Sequence, residues 1–110
     1  MRRLESHTVL ELDGALDEQA APQIIATVGE LVSGTPAPGL VIDLSAVTHW
    51  DSTGITALIT AQQRVSETPA GMLVLTGLAA EFAERLDALS PVPLTIRETP
   101  DKAVHLFPPL

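Results

Sequence analysis

LVIDLSAVTHWDSTGITALITAQQRV, residues 40–65, changes its period halfway. "LVIDL" (40–44) is a short apolar run broken by one acid, which suits a buried strand. "AVTHW" (46–50) carries that strand on toward Asp51. From Ser52 the pattern is helical: Ile55, Leu58, Ile59 and Val65 recur at a spacing near 3.6 and predict a helix over 52–68. Thr68-Pro69 ends it, because the residue before a proline is driven out of the α region. At the junction stand an acid, two hydroxyls and a glycine: Asp51, Ser52, Thr53 and Gly54.

The same reading extends in both directions. "TVLELDGAL" (8–16) alternates apolar and polar, a strand that enters a turn at its glycine. The preceding "RRLES" is a candidate partner strand. Over 16–34, Ala21, Ile24, Val28, Leu31 and Val32 share one helical face. Asp17 is placed to cap that helix and Gly34 to stop it, with Pro22 confined to the first turn. Beyond the central stretch, "GMLVLTG" (71–77) is a second buried strand. "LAAEFAERLDALS" (78–90) is a helix with Leu78, Phe82, Leu86 and Leu89 on its inner stripe. "PLTIRE" (93–98) is a strand. "TPDKAVHLF" (99–107) opens with Thr and Pro in cap and first-turn positions, which predicts a fourth helix. Alternation of this kind predicts an α/β fold: a central, mostly parallel sheet flanked by about four helices. The 110 residues fit one domain, 1–110.

Composition narrows the function. The chain has no cysteine, so it holds neither a disulfide nor a thiolate metal site. Its net charge is −8, with only six basic residues, which supplies no footprint for nucleic acid or for an anionic membrane surface. Arg2 and Arg3 are followed by no apolar core of a signal peptide, and no apolar run is long enough to span a bilayer. The expectation is a cytoplasmic protein without direct membrane insertion.

The hydroxyls at 52 and 53 admit two readings. One is an N-cap, with Ser52 accepting a free N–H of the first turn and Gly54 allowing a close turn. The other is modification, because a helix N-terminus favours an anion and a phosphate adds about −1.5 to −2 charge. Other chemistry fits poorly. A nucleophile elbow requires a glycine two residues before the serine, and Trp50 stands there. An aspartic protease half-site has no residue to spare between Asp and Thr-Gly, and a phosphate-binding loop needs Gly-Lys-Ser/Thr. His49 lies three residues before Ser52 across a strand end, which does not make the two face each other. His7, His49 and His105 share no ligand spacing.

The central stretch resembles the core signature of STAS domains, and most closely the anti-sigma factor antagonists (anti-anti-sigma factors) of bacteria. The pattern is an apolar strand ending in Asp-Leu-Ser, a few residues, then Asp-Ser-Ser/Thr-Gly opening a helix. "LELDGALDEQAA" resembles the strand, turn and helix start near the family's N-terminus, and "GMLVLTGL…FAERLDAL…LTIRETPDKAV" follows its remaining course. The resemblance implies that Ser52 is the phosphoacceptor, with Thr53 the second hydroxyl and alternative acceptor. It implies that Asp17, Asp51, Ser52, Thr53 and Gly54 form the partner-binding surface. The implied function is partner switching. The unphosphorylated protein binds an anti-sigma factor that is also a serine kinase, which releases a sigma factor. Phosphorylation of the serine ends that binding, and a serine phosphatase resets the system. ATP belongs to the partner, so the chain is expected to need no cofactor and to be no enzyme. STAS domains also serve as accessory subunits of lipid-transport ABC systems and in larger signalling assemblies, which is the alternative function. Trp50 departs from the family pattern, either as a core aromatic or as an interface anchor.

Overall fold

The computed structural model describes residues 2–3, 7–34, 39–67, 72–90 and 94–97. Along the chain run β1 (Arg2–Arg3), β2 (His7–Leu16), α1 (Ala21–Gly34), β3 (Gly39–Trp50), α2 (Ser52–Ser66), β4 (Met72–Thr76), α3 (Ala80–Leu89) and β5 (Thr95–Arg97). The sheet order follows the chain order, β1-β2-β3-β4-β5. Strands β2 to β5 are parallel, and β1 pairs antiparallel with the start of β2. The mostly parallel sheet and the partner strand in "RRLES" are thus both present. Three helices fall within the described residues; the fourth, expected over 99–107, lies outside them.

Each parallel connection is a helical crossover, and crossovers of one hand along a sequential sheet bring their helices to one face. Ile24 and Val28 of α1, Ile55, Leu58 and Val65 of α2, and Phe82 and Leu86 of α3 join Leu40, Ile42, Leu44, Leu73 and Leu75 in one buried cluster. The opposite face shows the period of two. Val9, Val41 and Val74 are register partners across three strands and form a second buried cluster. A strand buried on both sides must read as continuously apolar, which is why "LVI" and "LVL" lack alternation.

Two sequence readings change. Leu89 is 56% exposed, since the last turn of α3 leaves the cluster that buries Phe82 and Leu86. Strand β2 does not turn at its glycine: Gly14 takes a φ of 71° and the strand runs on to Leu16. As expected, "LVIDL" and "AVTHW" lie in one strand, β3, of 12 residues. It is not evenly paired: register shifts against β2 fall between Glu11 and Asp13 and between Gly14 and Ala15. Two extra residues of β3 are accommodated there as bulges.

Candidate functional site

The site lies where β3 ends and α2 begins. β4 accompanies β3 only from Gly39 to Asp43. Beyond Asp43 the remainder of β3 has β2 as its parallel partner, with Ala15 opposite His49 and Leu16 opposite Trp50. This extension is largely exposed and carries the chain to Asp51.

Asp51 caps α2. Its backbone is extended, at φ −135° and ψ −177°, and its side chain accepts the N–H of Gly54 at 3.0 Å. Its own N–H donates to the Leu16 carbonyl at 3.2 Å. The cap therefore belongs to Asp51 and not to Ser52. Ser52 is the first residue of the helix; its side chain is exposed, and among the described residues its hydroxyl has no hydrogen-bond partner. Its carbonyl accepts the Thr56 hydroxyl at 2.9 Å. Thr53 is exposed on the same turn.

Gly54 serves a close approach rather than a turn. A Cβ there would collide with the Leu16 carbonyl oxygen and stand 2.7 Å from its carbon. Because that neighbour is backbone, the first turn of α2 can lie against the end of β2 only without a side chain. The contact places the loop after Leu16 beside the first turn of α2. In that loop Asp17 accepts the N–H groups of Gln19 at 3.0 Å and Ala20 at 3.2 Å, and its carbonyl accepts Ala21 N–H at 2.9 Å. Asp17 is thus the expected cap of the turn leading into α1. Two capped helix starts lie side by side at the carboxyl edge of the sheet, both capping carboxylates half-buried and the Ser52 hydroxyl exposed.

Trp50 is half-buried. Its ring stacks on Phe82 at 4.8 Å between centroids and 12° between planes, and the Arg85 guanidinium lies 5.5 Å from its centroid. The core reading holds for one face of the indole; α3 supplies both partners. No sequence pattern linked these positions, which are more than 30 residues apart. His49 is exposed, and among the described residues no hydrogen bond joins it to Ser52. Among the described residues no cluster of His, Asp or Glu could hold a metal ion, and no helix is long and apolar enough to cross a membrane.

The reading from sequence missed Asp43. Its carboxylate accepts Ser45 N–H, the Ser45 hydroxyl and the Thr76 hydroxyl, each at 3.2 Å. The one acid inside "LVIDL" was the available signal.

No curated protein matches the sequence significantly. Solved structures do. An anti-sigma factor antagonist from Mycobacterium paratuberculosis is 27% identical, with a TM-score of 0.70 over 96% of this chain and 88% of that chain. The phosphorylated form of the Bacillus cell fate determinant SpoIIAA is 19% identical, with a TM-score of 0.74 over 96% and 95%. A sulfate transporter family protein from Wolinella succinogenes is 17% identical, with a TM-score of 0.71 over 94% and 85%. The model of the STAS domain matches residues 1–103. With its sequential parallel sheet and its capped Asp-Ser-Thr-Gly turn, the chain belongs to the STAS domain family.

Proposed function

We propose that this protein is an anti-sigma factor antagonist switched by phosphorylation at Ser52. The observation that carries the reading is the exposed Ser52 hydroxyl on the first turn of α2, relieved of capping by Asp51. The likeness to the Mycobacterium paratuberculosis antagonist, at 27% identity, supports it. In this scheme an anti-sigma factor with serine kinase activity binds the unmodified surface around Asp17, Asp51, Ser52, Thr53 and Gly54. It transfers the γ-phosphoryl group of ATP to the Ser52 oxygen; ADP leaves, and the hydroxyl proton passes to a base of the kinase. A serine phosphatase returns the hydroxyl by hydrolysis. The chain itself is a binding partner and not an enzyme, and it acts in the cytoplasm.

The physics separates fold from partner. Within this chain a phosphate on Ser52 is attracted by the helix N-terminus, by about 0.3–1 kcal/mol. It is repelled by the neighbouring Asp51, by about 1 kcal/mol for each unit charge pair near 4 Å in water and so by about 1.5–2 kcal/mol for a phosphate. The two effects oppose each other at an exposed position outside the buried core, and the core tolerates the modification. A packed interface does not, because it would have to desolvate the phosphate beside two carboxylates.

The test is a pull-down with wild-type protein, Ser52→Ala and Ser52→Asp as baits. A serine-kinase anti-sigma factor retained by the first two and lost by the third supports the reading. Retention of one partner by all three, or of no kinase by any, contradicts it. The second reading is a STAS-type accessory subunit of a lipid-transport ABC system or of a larger signalling assembly; the fold is shared with a sulfate transporter family protein of Wolinella succinogenes. Recovery of transporter subunits in place of a kinase identifies that case.

A further inference from the structure

We propose that Asp43 is a positioning residue: it holds the bulge that aims Trp50 and the Asp51–Ser52 turn. Three observations meet there. First, Asp43 is the last residue of β3 that pairs with β4, opposite Thr76. Second, the first register shift against β2 follows it at once, because Glu11 pairs with Asp43 but Asp13 pairs with Ala46. Third, its carboxylate holds both sides of that shift. It accepts Ser45 N–H and the Ser45 hydroxyl within the bulge, and the fully buried Thr76 hydroxyl at the end of β4. Gly77 closes the arrangement. Its φ is 74°, and a Cβ there would stand 2.6 Å from Ser45 N, so β4 leaves the sheet directly against the bulge.

Bulges between parallel strands are rare, and next to functional sites they re-aim a side chain. The geometry explains the need for one here. Side chains of a strand alternate faces, so a slip of one residue turns every later side chain to the other side. β3 contributes two bulges before Trp50, so the phase of the buried half is recovered at Trp50, which reaches the helix-side residue Phe82. If the Asp43 bulge is lost, the phase is wrong by one. Trp50 then points away from Phe82 and Arg85, and Asp51 loses its register with Leu16. Asp43 touches no partner in this scheme; it acts through Ser45 and Thr76.

The consequence for switching rests on Ser52 being the phosphoacceptor, but the test does not. Trp50 is the only tryptophan, so its emission reports the stack without ambiguity. Asp43→Ala is expected to move Trp50 emission to the red and to speed exchange of the Asp51 and Gly54 amides by about tenfold, while the amides of β4 stay protected. Asp43→Asn keeps an acceptor for Ser45 N–H and Thr76 and presents an amide to the Ser45 hydroxyl, so it is expected to restore both signals. Wild-type emission and exchange in Asp43→Ala would overturn the proposal, as would Asp43→Asn behaving like Asp43→Ala. If Asp43→Ala does not fold, Thr76→Val decides: it removes one of the three hydrogen bonds at nearly constant volume. A smaller red shift supports the proposal, and unchanged emission overturns it. Ser52→Ala keeps the wild-type signals in either case, so failure of the phosphorylation reading is recognised separately by the partner pull-down.

Discussion

The two halves of β3 differ in almost every respect. Residues 39–43 are paired on both sides, and of these Leu40, Val41 and Ile42 are at most 4% exposed. Residues 45–50 have lost β4, carry the bulges and are half-buried or exposed. One strand therefore serves two purposes in series. The regular half anchors the sheet; the irregular half carries a turn outward and aims it. Among the described strands the sequential order leaves no reversal at which to open a ligand crevice. The capped turn is instead carried by the part of β3 that runs beyond β4 and keeps only β2 as a partner among the described strands.

The comparison predicts that substitutions in the first half cost stability and those in the second cost recognition. Ile42→Ala should have the largest effect. Ile42 is fully buried in the main cluster, and its truncation should lower stability by about 2–5 kcal/mol in urea unfolding. A loss below about 1 kcal/mol would erase the distinction between the halves. Gly54→Ala comes next, at about 1–3 kcal/mol, because its Cβ meets the Leu16 backbone, which cannot swing aside. It should also reduce partner binding, since α2 must move off the end of β2. Asp51→Ala should cost about 1 kcal/mol, the usual worth of an N-cap, and the Gly54 amide should lose protection. Ser52→Ala should stay within about 0.5 kcal/mol of wild type, as an exposed hydroxyl outside the cap allows. If Ser52→Ala instead cost as much as Asp51→Ala, the hydroxyl would be structural and the switch reading would weaken.

Much of this is legible in the sequence. Runs such as "LVIDL" and "MLVLT" and the helical stripes of α1 and α2 carry their periods openly, because burial on a sheet or under a helix selects apolar residues at fixed spacing. The cap was harder. Asp51, Ser52 and Thr53 are all good capping residues in a row, and local propensity does not rank them. A tertiary contact decides, since Gly54 must meet Leu16 and so fixes where the helix starts. The bulges were invisible because "SAVTHW" continues a tolerable strand pattern, whatever its register. Leu89 fitted the α3 stripe, but periodicity does not say where the helix runs out of sheet to cover. Asp43 stood out as an acid in an apolar run, yet its partner Thr76 lies 33 residues away. Trp50 offers two readings, and Phe82 and Arg85 decide between them; α3 is legible as a helix, but no local pattern sets it beside the end of β3.

On the proposed function, the Ser52 oxygen accepts a phosphoryl group and this ends partner binding. The most direct measurement incubates the protein with ATP and the kinase captured by wild-type bait, then maps phosphate by peptide mass spectrometry while following the complex. Phosphate is expected on Ser52, none at that turn in Ser52→Ala, and dissociation in step with modification. An unmodified Ser52, or a complex that survives full phosphorylation, would contradict it.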